Sequence, residues 1–228
     1  MALSFGGGLL LKASLDSRIS KNPPKSIMTF GTYYDIQSTL KFLCNGQINL
    51  DNTSYVIKPH SWGLTVLFHN FLDKLNFEEI KGYKKEIREI LNLRIQDKLE
   101  EVKNKISELP NIPGEFIQNI FNSDINQKIE NEISRAISEE KEFIQSMSPR
   151  YWGEKINSKV FIMHGSNDSM VPFTESIDLN KCIQNSSLFI SYMYEHKEIS
   201  TDKGIIFKIK EFFKMYKFFK GYFKFNES

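Results

Sequence analysis

The chain has 228 residues, of which 40% are hydrophobic and 25% are charged, values that suit one globular domain or one and a half. Its 30 Lys and Arg and 28 Asp and Glu leave a formal net charge of only +2, so the composition indicates no nucleic-acid partner. No stretch reaches the ~18 apolar residues that a membrane-spanning helix needs. Cys44 and Cys182 have no CxxC or metal-ligand spacing. We therefore expect free thiols and a cytoplasmic protein.

The first predicted element is a turn around Ser4, in the sequence "ALSFGGG" of residues 2–8. A small residue two places before a serine and a glycine two places after it are typical of a sharp turn from a strand into a helix. We predict a short helix over Gly7 to Ser17, whose glycines allow close packing against a strand. Three residues precede Ser4, and we expect these to be too few for Ser4 to be hydrogen-bonded into a ladder.

The next segment is predicted to be a strand, a helix and a long helical insert. The apolar run from Ser26 to Phe30 lies between a pair of prolines and a glycine, which predicts a buried strand. A helix that ends at Gly46 follows, because apolar residues recur at helical spacing: Ile36, Leu40, Leu43 and Cys44. From Trp62 to about Ser146 the sequence is helical and heavily charged. A sheet domain does not need such a long segment as a connector.

Two further strand-and-helix pairs complete the chain. A strand is predicted over Val160 to Met163, with a helix beginning near Pro172 whose apolar face comprises Ile177, Leu179 and Ile183. A second strand is predicted over Ser187 to Tyr192, and a basic, aromatic helix begins at about Gly204. This alternation predicts an α/β fold, a short parallel sheet flanked by helices. We predict core regions at residues 1–60 and 151–228, with a helical insertion at 61–150.

Candidate catalytic residues lie where predicted strands lead into helices, because ligands of parallel sheets bind at the carboxyl ends of strands. Ser4, Asp35, Asp168 and His196 occupy such junctions. Each has an ordinary explanation by itself, since an Asp in a loop is commonly a turn former or a helix cap. Together they place Ser, Asp and His in the chain order of the α/β-hydrolase triad.

The sequence resembles the α/β-hydrolase superfamily at "ALSFGGG", "FIMHGSNDSMVP" and "YMYEHKEIS", which are similar to its nucleophile elbow, acid loop and histidine loop. The resemblance implies a partial α/β-hydrolase fold with a helical cap and a serine hydrolase that acts on a carboxylic ester or similar acyl compound. It implies Ser4 as nucleophile, His196 as general base and Asp168 as the acid that orients it. The backbone N–H of Phe5 would be one oxyanion-hole donor. Asp35 stays an alternative acid, because some members take theirs from that junction.

The resemblance also implies a departure from the family pattern. In these enzymes a longer region of central strands precedes the nucleophile elbow, and the present sequence starts next to it. We therefore expect a chain that lacks the N-terminal half of the fold and has impaired activity.

A second interpretation concerns residues 204–224. Apolar residues trace one predicted helical face there and lysines line much of the rest, a pattern shared by membrane-surface helices. The apolar face comprises Ile205, Ile206, Ile209, Phe212, Phe213, Tyr216 and Phe219. The alternative function is thus a non-catalytic remnant or interaction protein that binds a membrane surface, a partner or another copy. The simpler interpretation is the last helix of the hydrolase fold, packed on the sheet.

The other histidines are predicted to be structural or on the surface: His60, His69 and His164. No set of His, Cys and carboxylates has zinc or two-metal spacing, so we predict no metal and no cofactor. The expected partner is a small acyl substrate.

Overall fold

The computed structural model of the chain describes residues 1–192 and 204–227. The chain divides into two compact units, the first made of Met1–Thr39, Ile48–Ile57 and Glu142–Ser228 and the second of Leu40–Gln47 and Lys58–Lys141. The boundaries inferred from the sequence, at residues 60 and 150, stay a prediction.

The strands of the described residues are β1 (Ala2–Leu3), β2 (Ser26–Phe30), β3 (Gln47–Leu50), β4 (Thr53–Val56), β5 (Lys159–Gly165) and β6 (Ser186–Ser191). Four of them form one sheet in the order β1, β2, β5, β6, and every neighbouring pair runs parallel. β2 and β5 are rich in apolar residues and are buried along most of their length, as strands covered by helices on both faces must be. The predicted α/β fold with a short parallel sheet is therefore confirmed.

The helices are α1 (Phe5–Ala13), α2 (Ser17–Ser20), α3 (Ile36–Asn45), α4 (Ser61–Phe71), α5 (Lys84–Ile95), α6 (Leu99–Ser107), α7 (Asn111–Asn122), α8 (Gln127–Glu139), α9 (Lys141–Met147), α10 (Thr174–Cys182) and α11 (Ile205–Glu227). Short 3₁₀ turns lie at Leu72–Lys74, Glu78–Tyr83, Pro149–Tyr151 and Gly153–Lys155. None of the helices within the described ranges is long and apolar enough to cross a membrane.

In the core of the first unit, buried side chains of the helices pack against buried side chains of the strands. Leu11 of α1 and Leu179 of α10 are fully buried against Ile27, Val160 and Ile162 of the strands. At about 25 cal/mol per Å² of apolar surface removed from water, such contacts are the main source of the unit's stability.

The second unit is helical, as the sequence between Trp62 and Ser146 predicts. The buried residues of α8 follow a helical spacing: Ile129, Ile133, Ala136 and Ile137. Phe68 of α4 is fully buried, and its ring meets the ring of Phe116 edge-on at 5.6 Å between centroids. One apolar stripe per helix therefore builds this core.

Two local predictions differ from the structure. α1 begins at Phe5 rather than Gly7, because the Gly7 N–H already donates to the carbonyl of Ser4 at 3.0 Å. Beyond Gly46 the sequence predicts only a turn, whereas β3 and β4 form a two-stranded sheet. Asp51, with φ of 51°, lies in the tight connection between them. The strands have four residues each, too few for a clear alternating pattern.

The helical face of α11 that the sequence predicts to be apolar does not pack on the sheet. Ile205, Ile209 and Phe212 are 75%, 50% and 52% exposed. The helix instead packs through Phe218 and Tyr222, whose rings contact Phe161 of β5. Aromatic residues occur all around this helix, so periodicity could not indicate which side meets the sheet.

Candidate active site

Ser4 lies between β1 and α1 in a strained backbone conformation, with φ of 51° and ψ of −132°. A residue other than glycine in such a sparsely populated backbone conformation costs about 1–3 kcal/mol of folding free energy. The Ser4 N–H donates to the carbonyl of Phe30 at 2.7 Å, and Ala2 and Leu3 pair with β2. The expectation that Ser4 is not hydrogen-bonded into the ladder is thus wrong, because two strand residues suffice to dock the turn.

The glycines after Ser4 permit a close approach of backbone to side chains. A Cβ on Gly7 would lie 1.7 Å from Thr32 Oγ1, and one on Gly8 would lie 2.3 Å from the Tyr33 ring. Thr32 Oγ1 in turn donates to the Ser4 carbonyl at 3.0 Å. Thr32 and Tyr33, which follow β2, therefore pack tightly against the serine turn, and they leave no room for a Cβ at Gly7 or Gly8.

The backbone N–H of Phe5 lies at the N-terminus of α1. Phe5 is the first residue of α1, so its N–H has no partner within the helix, and helix N-termini favour negative charge. The Phe5 ring lies 5.2 Å from the ring of buried Tyr33. Burial raises the pKa of Tyr33, so its phenol stays protonated and donates to the Met147 carbonyl.

Asp168, in the loop after β5, is fully buried. Its Oδ1 accepts from the N–H groups of Met170 and Val171 at 2.8 and 2.9 Å. Its Oδ2 lies 3.3 Å from Nε2 of His164, which is also fully buried. The carboxylate is therefore held in one orientation by its own loop and by the strand before it.

The hydrogen bonds of His164 define its tautomer. Nε2 faces two acceptors, Asp168 Oδ2 and the Val171 carbonyl at 3.0 Å, so Nε2 carries the proton. Nδ1 lies 2.6 Å from Ser176 Oγ and accepts from that hydroxyl when the ring is neutral. His164 thus packs in the interior and supports Asp168.

Asp35, the alternative acid, is occupied by structural contacts. It is 5% exposed, and its Oδ1 accepts from the Gln37 N–H at 3.0 Å, which caps α3. Its Oδ2 pairs with Arg150 at 3.0 Å. This is the helix-capping role that an Asp in a loop commonly has.

Glu175, a buried carboxyl in the first turn of α10, is not predicted from the sequence. Its Oε2 accepts from the N–H groups of Tyr34 and Asp35 at 2.8 and 2.7 Å. Its Oε1 lies 2.5 Å from Ser38 Oγ, and that hydroxyl has a second acceptor, the Asp35 carbonyl, at 2.9 Å. A hydroxyl has a single proton, so the geometry is best satisfied when Glu175 is protonated. Burial raises the pKa of Glu175, in agreement with this assignment.

All of these groups lie at one edge of the sheet. Ser4 follows β1 and Asp168 follows β5, with β2 between them, so their strands are about 10 Å apart. His196 lies outside the described residues, between β6 and α11 in the chain. Its place in the site stays a prediction. Within residues 1–192 and 204–227, no three His, Cys, Asp or Glu side chains are grouped so that they could hold a metal ion.

The remaining histidines and cysteines have ordinary surroundings. His60 caps α4, since its Nδ1 accepts from the Trp62 N–H at 3.1 Å. The carbonyl of His69 accepts from Arg88. Cys44 and Cys182 are free thiols, and burial raises the pKa of Cys44 to about 12, so it is not a nucleophile at neutral pH.

A family model, BD-FAE, matches residues 84–183. No curated protein sequence matches the chain. Similar solved structures include an α/β-hydrolase enzyme from a Medee basin deep-sea metagenome library, with 15% identity, coverage of 85% of this chain and 56% of that chain, and a TM-score of 0.38. An α/β fold family hydrolase from Bacillus anthracis has 14% identity, coverage of 86% and 59%, and a TM-score of 0.42. A serine hydrolase from Cycloclasticus zankles has 19% identity, coverage of 97% and 63%, and a TM-score of 0.37.

The chain therefore spans less than two thirds of the length of these structures. Its own sheet is parallel and flanked by helices, and a serine occupies a strained strand-to-helix turn at the sheet's carboxyl edge, as in a nucleophile elbow. With the BD-FAE match over residues 84–183, these features make the chain similar to the α/β-hydrolase superfamily.

Proposed function

We propose that the chain is a serine hydrolase that acts on a carboxylic ester or a similar acyl compound. The observation that carries the proposal is the backbone of Ser4, with φ of 51° at the end of a parallel strand. Strain of this kind is retained where the surrounding structure enforces it, and it clusters at reactive residues. Ser4 is also half-buried rather than fully buried, so a substrate can reach its hydroxyl.

The reaction would proceed in two balanced steps. Ser4 Oγ attacks the acyl carbon while His196 takes the hydroxyl proton, and that proton then passes to the leaving alcohol as the ester C–O bond breaks. Water next attacks the acyl-enzyme, again with His196 as base, which releases the acid and regenerates Ser4. The Phe5 N–H would stabilise the oxyanion in both steps.

Asp168 is the better candidate for the acid than Asp35. Asp168 follows β5 in the segment that resembles the acid loop of the family, and its Oδ2 lies 3.3 Å from His164 Nε2. Both oxygens of Asp35 are engaged, one by the cap of α3 and one by Arg150. Asp35 would have to give up the cap of α3 or its pair with Arg150 to accept from the imidazole of His196, so we assign the acid to Asp168.

The test of the nucleophile is labelling by a fluorophosphonate, which reacts with activated serines. We expect the label on the peptide that contains Ser4, and no label after Ser4→Ala. Ser138→Ala is a matched control, because the Ser138 hydroxyl is exposed and donates to the Ser134 carbonyl of its own helix. Labelling of another serine, or labelling that survives Ser4→Ala, would contradict the proposal.

The test of the acid is turnover of a p-nitrophenyl ester by Asp168→Asn and Asp35→Asn. We expect Asp168→Asn to lower kcat by roughly 10⁴-fold, the scale of the loss when the acid of a triad is made neutral. Asp35→Asn keeps an acceptor for the Gln37 N–H and should leave kcat within tenfold, a change that corresponds to about 1.4 kcal/mol. The reverse ranking would assign the acid to Asp35.

A further inference from the structure

The side of α11 opposite its packing side carries a continuous apolar row. Its members lie four and three residues apart, and the first four are 50–75% exposed: Ile205, Ile209, Phe212 and Tyr216. Phe223, 56% exposed, extends the row by two turns. We call these five residues the apolar row. The packing side is occupied by Phe218 and Tyr222, which contact β5.

Lysines flank the apolar row, and the exposed acidic residue of α11 is Glu227, in its last turn. Lys217, Lys220 and Lys224 are exposed and lie along one side of it. Glu211 is 1% exposed and pairs with Lys214 at 2.6 Å, so its charge is not presented to a partner. The face therefore combines aromatic and aliphatic side chains with positive charge.

The positive charge of this face distinguishes between two possible binding partners, a second copy of the chain and an anionic membrane surface. A second copy would have to place its own lysines against these lysines, and helix pairs of that kind are stabilised by opposite charges beside the seam. An anionic surface meets the lysines favourably, while aromatic side chains suit the boundary between headgroups and acyl chains. We propose that the exposed face of α11 binds the surface of a membrane that contains anionic lipid.

The helix would lie in the membrane surface rather than span the bilayer. Lysines occur throughout α11, and surface-bound helices of this type bury only one side. Lysines near an anionic surface each contribute about a fivefold gain in affinity, and the gain falls as salt screens the charges. The proposal is independent of catalysis by Ser4.

The test is co-sedimentation of the whole chain with vesicles of equal parts phosphatidylcholine and phosphatidylserine. We expect binding to these vesicles, weakening with salt, and much less binding to phosphatidylcholine alone. The triple variant Lys217→Gln, Lys220→Gln and Lys224→Gln should bind about 100-fold more weakly, as three fivefold losses predict. The double variant Phe212→Ser and Tyr216→Ser should also bind more weakly.

Matched variants keep the test specific. Lys81→Gln, Lys103→Gln and Lys181→Gln remove the same charge from side chains that are 70–71% exposed on other helices, and we expect less than a tenfold loss. Phe143→Ser removes a ring that is 61% exposed on α9 and should not change binding. Helical circular dichroism equal to that of the parent chain is required of every variant.

Three results would overturn the proposal. The first is absence of binding to the anionic vesicles, and the second is equal binding to both kinds of vesicle. The third is a dimer in vesicle-free solution, seen by analytical ultracentrifugation, that becomes a monomer with Phe212→Ser and Tyr216→Ser. That result would mean that a second copy covers the face.

Discussion

The serine turn and the acid loop lie at the same edge of one parallel sheet, yet they are held in opposite ways. The serine turn depends on missing side chains, since Gly7 and Gly8 leave room for Thr32 and Tyr33. The acid loop depends on a present side chain, the Asp168 carboxylate, which accepts from two backbone N–H groups and faces His164. Adding side-chain atoms should therefore destabilise the serine turn, whereas removing side-chain atoms should destabilise the acid loop.

This difference follows from what each residue has to do in the proposed reaction. A nucleophile must reach the substrate, so Ser4 is half-buried and is positioned by its backbone. An acid that orients a histidine must be immobile, so Asp168 is fully buried and is positioned by its own carboxylate.

The largest stability effect is expected in the acid loop. Asp168→Ala leaves the N–H groups of Met170 and Val171 buried without an acceptor, and we expect the free energy of unfolding to fall by about 3 kcal/mol. Asp178→Ala removes a surface partner of Lys181 and should cost less than about 1 kcal/mol. Urea unfolding measures both. Equal losses would mean that the acid loop does not depend on its carboxylate.

The next effect is expected in the serine turn. Gly7→Ala and Gly8→Ala would each lower the free energy of unfolding by about 2 kcal/mol, because Thr32 or Tyr33 has to move. Gly6→Ala is the matched control in the same helical turn, since among the residues that the structure describes its Cβ would meet only Ala2, at 4.0 Å. Thermal unfolding of the three variants should rank Gly6→Ala as the most stable. Equal thermal stability of the three variants would show that Thr32 and Tyr33 pack less tightly against the serine turn than the distances indicate.

A smaller effect separates the strain of Ser4 from its chemistry. Ser4→Gly removes the Cβ from a residue with φ of 51°, and we expect it to be about 1 kcal/mol more stable than Ser4→Ala. Ser14→Gly, at a residue with φ of −64°, should instead be less stable than Ser14→Ala. Both Ser4 variants should lose labelling. If Ser4→Gly is the less stable of the two, the turn is not strained.

The smallest effect is a dependence on pH through Glu175, which ties the start of α10 to the segment after β2. Its pKa is raised by burial above the ordinary value of 4.5, so the folded state retains a proton that the unfolded chain loses. Its stabilising contribution is therefore complete below 4.5 and is lost as pH rises through the raised pKa.

The measurement is urea unfolding of the parent chain and Glu175→Gln at a series of pH values above 4.5. The amide of Gln mimics the protonated carboxyl, so the variant should become relatively more stable as pH rises. The neighbouring charges are Asp35 and its partner Arg150, and both chains retain them. Parallel curves would mean that Glu175 does not titrate in this range.

Several features could be predicted from the sequence because their causes are local. The bounds of β2, Ser26–Phe30, match the prediction, since prolines and a glycine delimit one apolar run. The turn at Ser4 was predicted from small residues at fixed spacing, and Asp168 from its place after an apolar strand. The catalytic roles of Ser4, Asp168 and His196 stay predictions.

The sequence by itself determined the order of β2, β5 and β6 with the helices that follow them, and the glycines that the serine turn requires, because periodicity and local sterics act over a few residues. Only the tertiary structure decided which side of α11 meets the sheet, because α11 carries aromatic residues on all of its sides. It also decided that Asp35 pairs with Arg150, 115 residues away, and that Glu175 accepts from the Asp35 N–H, 140 residues away. Such partners are selected by the packing of distant segments, and no local pattern in the chain encodes them.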